Sequence, residues 1–188
     1  MDDLAWFDLE GEALTDAQLS FVSALRARLR DGLRPYCVER TDDNLLLVLD
    51  VDAPEVALVS VGLQLRGRSL RGDRISVHDR SFPPVPTLNG FHLDGGSPEL
   101  AARAGDLLEW FANRPVVRHE WLHHGQVYAD CYLFEDSSER LAQTYRSDLA
   151  PPSEEDRLIA ERFVHGAGWI QTQGLGDPDR VVRVRGGD

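Results

Sequence analysis

V-V-R-H-E-W-L-H-H-G-Q-V-Y-A-D-C-Y-L-F, residues 116–134, has two readings, and the choice between them sets both the fold and the chemistry. As a helix it carries His119, Glu120 and His123 in the pattern H-E-x-x-H. Two histidines four apart then share one helical face, about 6 Å apart, and can hold zinc while the glutamate activates a metal-bound water. As a strand it places Val117, His119, Trp121 and His123 on one face and Arg118, Glu120, Leu122 and His124 on the other. The two histidines are then about 13 Å apart, and Glu120 points away from both.

The flanks decide for the strand. Pro115 could open a helix and Gly125 could close it, but Val116 and Val117 weaken so short a segment. The longer zinc signature also breaks, with Gln126 where a glycine and Ala129 where a histidine would stand. Val127–Phe134 is a second β-rich run behind the turn at Gly125, and two such runs make a hairpin. A zinc-dependent hydrolase remains the alternative: His119 and His123 as ligands, Glu120 as general base, and His165 or a downstream acid such as Glu139 completing the site. A weaker enzymatic reading pairs a hairpin histidine with Asp130 across the strands, or with His165, as a general base.

Outward from the hairpin, helices and strands alternate irregularly. Thr15 and Gln18 form a capping box with Leu14 and Leu19 as its staple, and Leu19, Val22, Leu25 and Leu29 recur at helical spacing. These predict a helix over 16–31, stopped by Gly32. Y-C-V-E-R and L-L-L-V-L-D-V around T-D-D-N predict a hairpin, and V-A-L-V-S-V-G-L-Q-L-R has the period of a half-buried strand. R-G-D at 71–73 reads as a turn before R-I-S-V-H. Ser97 and Pro98 open a second helix through Asn113, with Leu100, Ala104, Leu107, Leu108 and Phe111 as its buried stripe. S-S-E-R-L-A-Q-T-Y suggests a helical turn, S-E-E-D-R-L-I-A-E-R-F a third helix, and G-W-I-Q-T-Q and R-V-V-R-V-R two short strands. Trp110, Phe111, Trp121, Tyr128, Tyr132 and Phe134 are expected in a helix-on-sheet core.

These elements define an α+β fold: a single domain over 1–188, mainly antiparallel sheet built from hairpins with two or three covering helices. Residues 81–98, with four prolines and three glycines, form the longest break and suggest a binding loop or lid. The segment 81–96 could join two halves, 1–80 and 97–188.

Composition narrows the function. A net charge of −12 argues against a nucleic-acid binder, which needs a basic surface. Asp2, Asp3, Asp8, Glu10 and Glu12 have no base among them, and Asp42 and Asp43 mark a second acidic site. Such a surface suits a basic protein partner. All 20 basic residues are arginine, the bias of a GC-rich bacterial genome, so Schiff-base and P-loop lysine chemistry are excluded. Glycine pairs at 166–168 and 174–176 precede strands rather than helices and are not nucleotide fingerprints. Cys37 and Cys131 make neither a disulfide framework nor a four-ligand metal site. No apolar run is long enough for a membrane span, and the acidic start lacks a signal peptide's positive region, so the cytoplasm is the expected compartment. The expected function is therefore a non-catalytic acidic protein-binding domain, of antidote or immunity type in its most specific version, without a cofactor. Zinc hydrolysis is the first alternative, and small-molecule binding under the 81–98 loop the second.

Overall fold

Thr15 accepts a hydrogen bond from the Gln18 amide at 3.3 Å, and the Gln18 side chain accepts one from the Thr15 amide at 3.1 Å. This reciprocal cap starts α1, Asp16–Arg28, in a computed structural model that describes residues 14–30, 32–53, 56–76, 79–166 and 168–186. Among these residues lie three α-helices and eleven strands in antiparallel sheets, an α+β fold. No helix among them is long and apolar enough to cross a membrane. The chain divides into two compact units. The first comprises the described residues up to Asp52 with Val59–Asn113, and the second Ala53–Leu58 with Arg114–Asp188. The Pro/Gly-rich loop 81–96 thus lies inside the first unit.

The first unit is a five-stranded meander, β1 (Tyr36–Arg40), β2 (Leu45–Ala53), β3 (Val56–Arg66), β4 (Ser69–Ile75) and β5 (Phe91–Asp94), in that spatial order. α1 packs on α2, Ser97–Asn113, through buried Phe21, Val22 and Leu25, and through Leu100, Ala104, Leu107, Leu108 and Phe111. The buried face of α1 is turned from the one expected: Leu19 is exposed, while Gln18 is buried and donates to the Thr41 carbonyl at 2.8 Å. The capping glutamine therefore also anchors the β1–β2 turn. R-G-D lies within β4 rather than in a turn. Gly72 is needed there because a β-carbon would sit 2.6 Å from the Phe91 ring and 2.9 Å from Leu107 of α2.

β3 is buried on both faces, not one, because loop 81–90 covers the side of the sheet away from Leu107. Phe82 of that loop joins Val38, Leu46, Val48 and Ile75 in a small apolar cluster. Arg71 fixes the loop by donating to the Pro83 carbonyl at 2.5 Å and lying 4.6 Å over the Phe82 ring. Asp73, 1% exposed, accepts from the Thr87 amide at 2.9 Å and the Thr87 hydroxyl at 2.5 Å. So anchored, this loop is a cover for the sheet.

The second unit carries a four-stranded sheet in the order β11 (Arg180–Arg185), β6 (Val116–His123), β7 (Gln126–Phe134), β8 (Arg140–Tyr145). β8 stands where the sequence suggested a helical turn. Cross-strand pairing such as Cys131 opposite Gln143 overrides that local preference. One face packs Val117, Trp121, Ala129, Cys131 and Leu133 against Leu158 of α3 (Glu154–Ala160), Ile170 and Leu175. β9 (Val164–His165) and β10 (Trp169–Ile170) form a separate two-stranded ribbon, followed by a 3-10 turn at Thr172–Gly174. Both cysteines are free thiols.

Candidate functional site

The segment that spells H-E-x-x-H extends as β6 from Val116 to His123 and pairs with β7 over its whole length. His124 and Gly125 form the two-residue turn, with φ of 48° and 78°. Positive φ at both central positions is the type I′ geometry that suits a twisted hairpin. His124, in the left-handed region without glycine's freedom, is the strained member. Replacing His124 with Asn should stabilise the fold by about 0.5 kcal/mol, and Gly125→Ala should destabilise it by about 1 kcal/mol. Urea midpoints of the two variants check the assignment; a harmless Gly125→Ala would contradict it.

The zinc-hydrolase alternative does not find its geometry here. His119 and His123 share one face of β6 at strand spacing, and Glu120 lies on the other. His119 stands opposite Cys131, and Glu120 opposite Asp130, so the proposed histidine–Asp130 pair is also separated by the sheet. His165 lies on the ribbon opposite Trp169. Glu139 accepts from Arg114 at 3.3 Å. No group of three or more His, Cys, Asp or Glu among the described residues is arranged to hold a metal ion.

Glu120 has a different role. It is 1% exposed and forms ion pairs with Arg118, two residues back on the same face, and Arg180 of the edge strand β11. Facing acids across a strand pair repel. Two guanidinium groups flank Glu120 and fasten β11 beside β6. Arg118 also donates to the Tyr132 hydroxyl at 3.3 Å, the main cause of its raised pKa. A carboxylate held in this way cannot swing to a water molecule as a general base. The sequence offered half of this arrangement, because alternation places Arg118 beside Glu120. Arg180 has no local signal.

On the opposite face, Trp121 is the central side chain, 5% exposed, with its indole Nε1 donating to the Gly176 carbonyl at 2.9 Å. A β-bulge at Trp121/Leu122 makes Tyr128 an extra residue in β7, and both Tyr128 and Ala129 join this core. Tyr132 and Phe134 do not; Phe134 lies 3.5 Å beneath the Arg114 guanidinium. Cys131 accepts from Arg140 at 3.3 Å, and Arg140 also donates to the Thr172 hydroxyl at 2.8 Å.

Burial first, and Arg140 second, hold the His119 imidazole below its ordinary pKa of 6.5. The folded chain therefore keeps His119 neutral where the unfolded chain takes up a proton. Its contribution is intact above the ordinary value and is lost as pH falls through that value toward the folded one. His119→Gln should flatten the fall in stability between about pH 7 and about pH 5. An unchanged slope in denaturation at several pH values would exclude this role.

Asp42 and Asp43 lie exposed in the β1–β2 turn. Asp2, Asp3, Asp8, Glu10 and Glu12 fall outside the described residues. A cleft of about 290 Å³ opens beside the 81–87 loop, lined by Ile75, Ser76, Phe82, Pro83, Pro84 and Thr87 among others. Compared with protein-family models, with curated proteins and with solved structures, the chain matches none.

Proposed function

We propose that this chain is a non-catalytic protein-binding domain whose acidic surface receives a basic partner. One specific form is an antidote-type protein that blocks a basic enzyme. The observation that carries the reading is the burial of Glu120 between Arg118 and Arg180: the residue that spelled catalysis is spent on holding strands together. The net charge of −12 and the exposed acids of the β1–β2 turn supply the field that would steer a basic partner. The test is titration with a panel of small basic proteins, with acidic proteins of similar size as controls, at low and high salt. Association with a true partner should slow steeply with salt, and Asp42→Asn with Asp43→Asn should slow it about twofold. Salt-independent binding to every basic protein, or binding to none, would refute the reading.

A second reading has one observation in its favour. The apolar cleft at Phe82, Pro83 and Pro84 is close to the lower size of small-molecule sites. A compound that raises the melting temperature of the native chain but not of Phe82→Ala would support it.

A further inference from the structure

L-H-H-G, residues 122–125, carries imidazoles on consecutive residues, and consecutive side chains in a strand point to opposite faces. The turn removes that separation. His123 ends β6 opposite Gln126, and His124 takes the left-handed conformation that closes the hairpin. The two ring centroids consequently stand 3.9 Å apart, with the planes inclined by 46°. His124 is exposed and His123 half-buried, and a β-carbon on Gly125 would meet no atom within 4 Å, so the tip opens to water. Asparagine or glycine at this position would make the turn with less strain. Neither would supply a second imidazole beside His123.

Among the described residues, neither ring forms a hydrogen bond or an ion pair, so both keep a nitrogen lone pair for an incoming ligand. Two metal–imidazole bonds of about 2.0–2.1 Å at neighbouring positions set the nitrogens about 3 Å apart. Centroids at 3.9 Å reach that separation by side-chain rotation, whereas His119 and His123 at strand spacing do not. Imidazole suits copper, nickel and zinc, and copper(II) binds tightest in that series. The net charge of −12 draws in every divalent cation without choosing among them; the nitrogen donors make the choice. Two ligands leave the remaining positions to water, which defines an exchangeable surface site rather than a structural or hydrolytic one.

We propose that His123 and His124 form a solvent-exposed two-imidazole site for a divalent transition-metal ion, with copper(II) preferred over nickel(II) and zinc(II). The site goes beyond the acidic-partner reading and does not depend on it. Glu120, held in its ion pairs, takes no part. The probes are copper(II), nickel(II) and zinc(II) chlorides, with magnesium(II) and calcium(II) as oxygen-seeking controls. Each is titrated by calorimetry into the full chain, stripped of metal beforehand with a chelator. Copper(II) is paramagnetic, so broadening of backbone amide signals in NMR reports where it sits.

A single copper(II) ion per chain should bind, and the amides of residues 122–127 should broaden first. His123→Gln and His124→Asn should each weaken binding about tenfold, because a lone imidazole lacks the second, intramolecular contact of the pair. His92→Gln and His165→Gln should leave the affinity unchanged. Asparagine suits the turn, so a loss in His124→Asn is not a loss of folding. Nickel(II) and zinc(II) should bind more weakly than copper(II), and magnesium(II) and calcium(II) not detectably. Copper(II) affinity that survives in both variants, or broadening that begins away from the hairpin tip, would leave an adventitious ion only and overturn the site. Magnesium(II) or calcium(II) binding as tight as that of copper(II) would point to carboxylates and overturn it equally.

Discussion

Glu120→Ala should lose about 3 kcal/mol of folding stability, and Glu120→Gln about 2 kcal/mol, in chemical denaturation. Removing one member of a buried ion pair costs about 3–5 kcal/mol because it strands the opposite charge. The lower end applies because Arg180 is 54% exposed and water can solvate it, while Arg118 is 29% exposed. The loss should be concentrated at β11, whose arginine is one of the two clamps. Amide exchange of Arg180–Arg185 should therefore accelerate more than that of β7. The triple replacement Arg118→Met, Glu120→Leu, Arg180→Leu separates stranded charge from lost contact. It should recover most of the stability, since an apolar replacement of a whole buried ionic group is often neutral or favourable. A general base would behave in the opposite way, with Glu120→Gln silent in stability and severe in activity. Wild-type stability in Glu120→Ala would show that the clamp contributes nothing.

The clamp also shows where the sequence was legible and where it was not. Local signals survived. The Thr15–Gln18 cap was readable because both partners lie within one turn, and the extension of 116–123 followed from valines and a turn glycine close at hand. Signals that depend on a distant partner were lost. Arg180 lies 60 residues from Glu120, and nothing in R-V-V-R-V-R shows which strand it will flank. The helical look of 137–145 is a genuine local preference. It yields to pairing with β7 and to the Gln143 side chain donating to the Ile170 carbonyl at 2.6 Å.

The face that a residue presents was harder to read than the element that carries it. Period-two alternation in β3 implied one wet face, but Phe82 arrives from a loop that sequence reading left unstructured, and that face is dry. In α1 the apolar spacing put Leu19 at the head of the stripe, but Leu19 is exposed. The position of α2 chooses Phe21, which is fully buried. The candidate site suffered most from this limit. H-E-x-x-H is a statement about faces, and only the backbone says whether its three side chains share one.

Trp121→Ala should cost about 4 kcal/mol, the largest single loss expected in the second unit. The indole is 5% exposed at the centre of a face built from Val117, Ala129, Cys131 and Leu133, with Leu158 and Ile170 packed over it. Its removal leaves a large cavity that the flanking strands, held by β7 and β11, can close only in part. It also frees the Gly176 carbonyl, and with it the approach to β11, where Asp179 accepts from the Leu122 amide at 2.7 Å. Trp121→Phe keeps most of the apolar area and loses the hydrogen bond, so a loss of about 1–2 kcal/mol is expected. His119→Ala, a partly exposed neighbour on the same face, should cost about 1 kcal/mol or less. Trp169→Ser should barely move the denaturation midpoint, because its ring already stands in water. The contrast is what matters: a large stability cost at Trp121 and almost none at Trp169. Equal stability losses at the two tryptophans would mean that Trp169 belongs to the core.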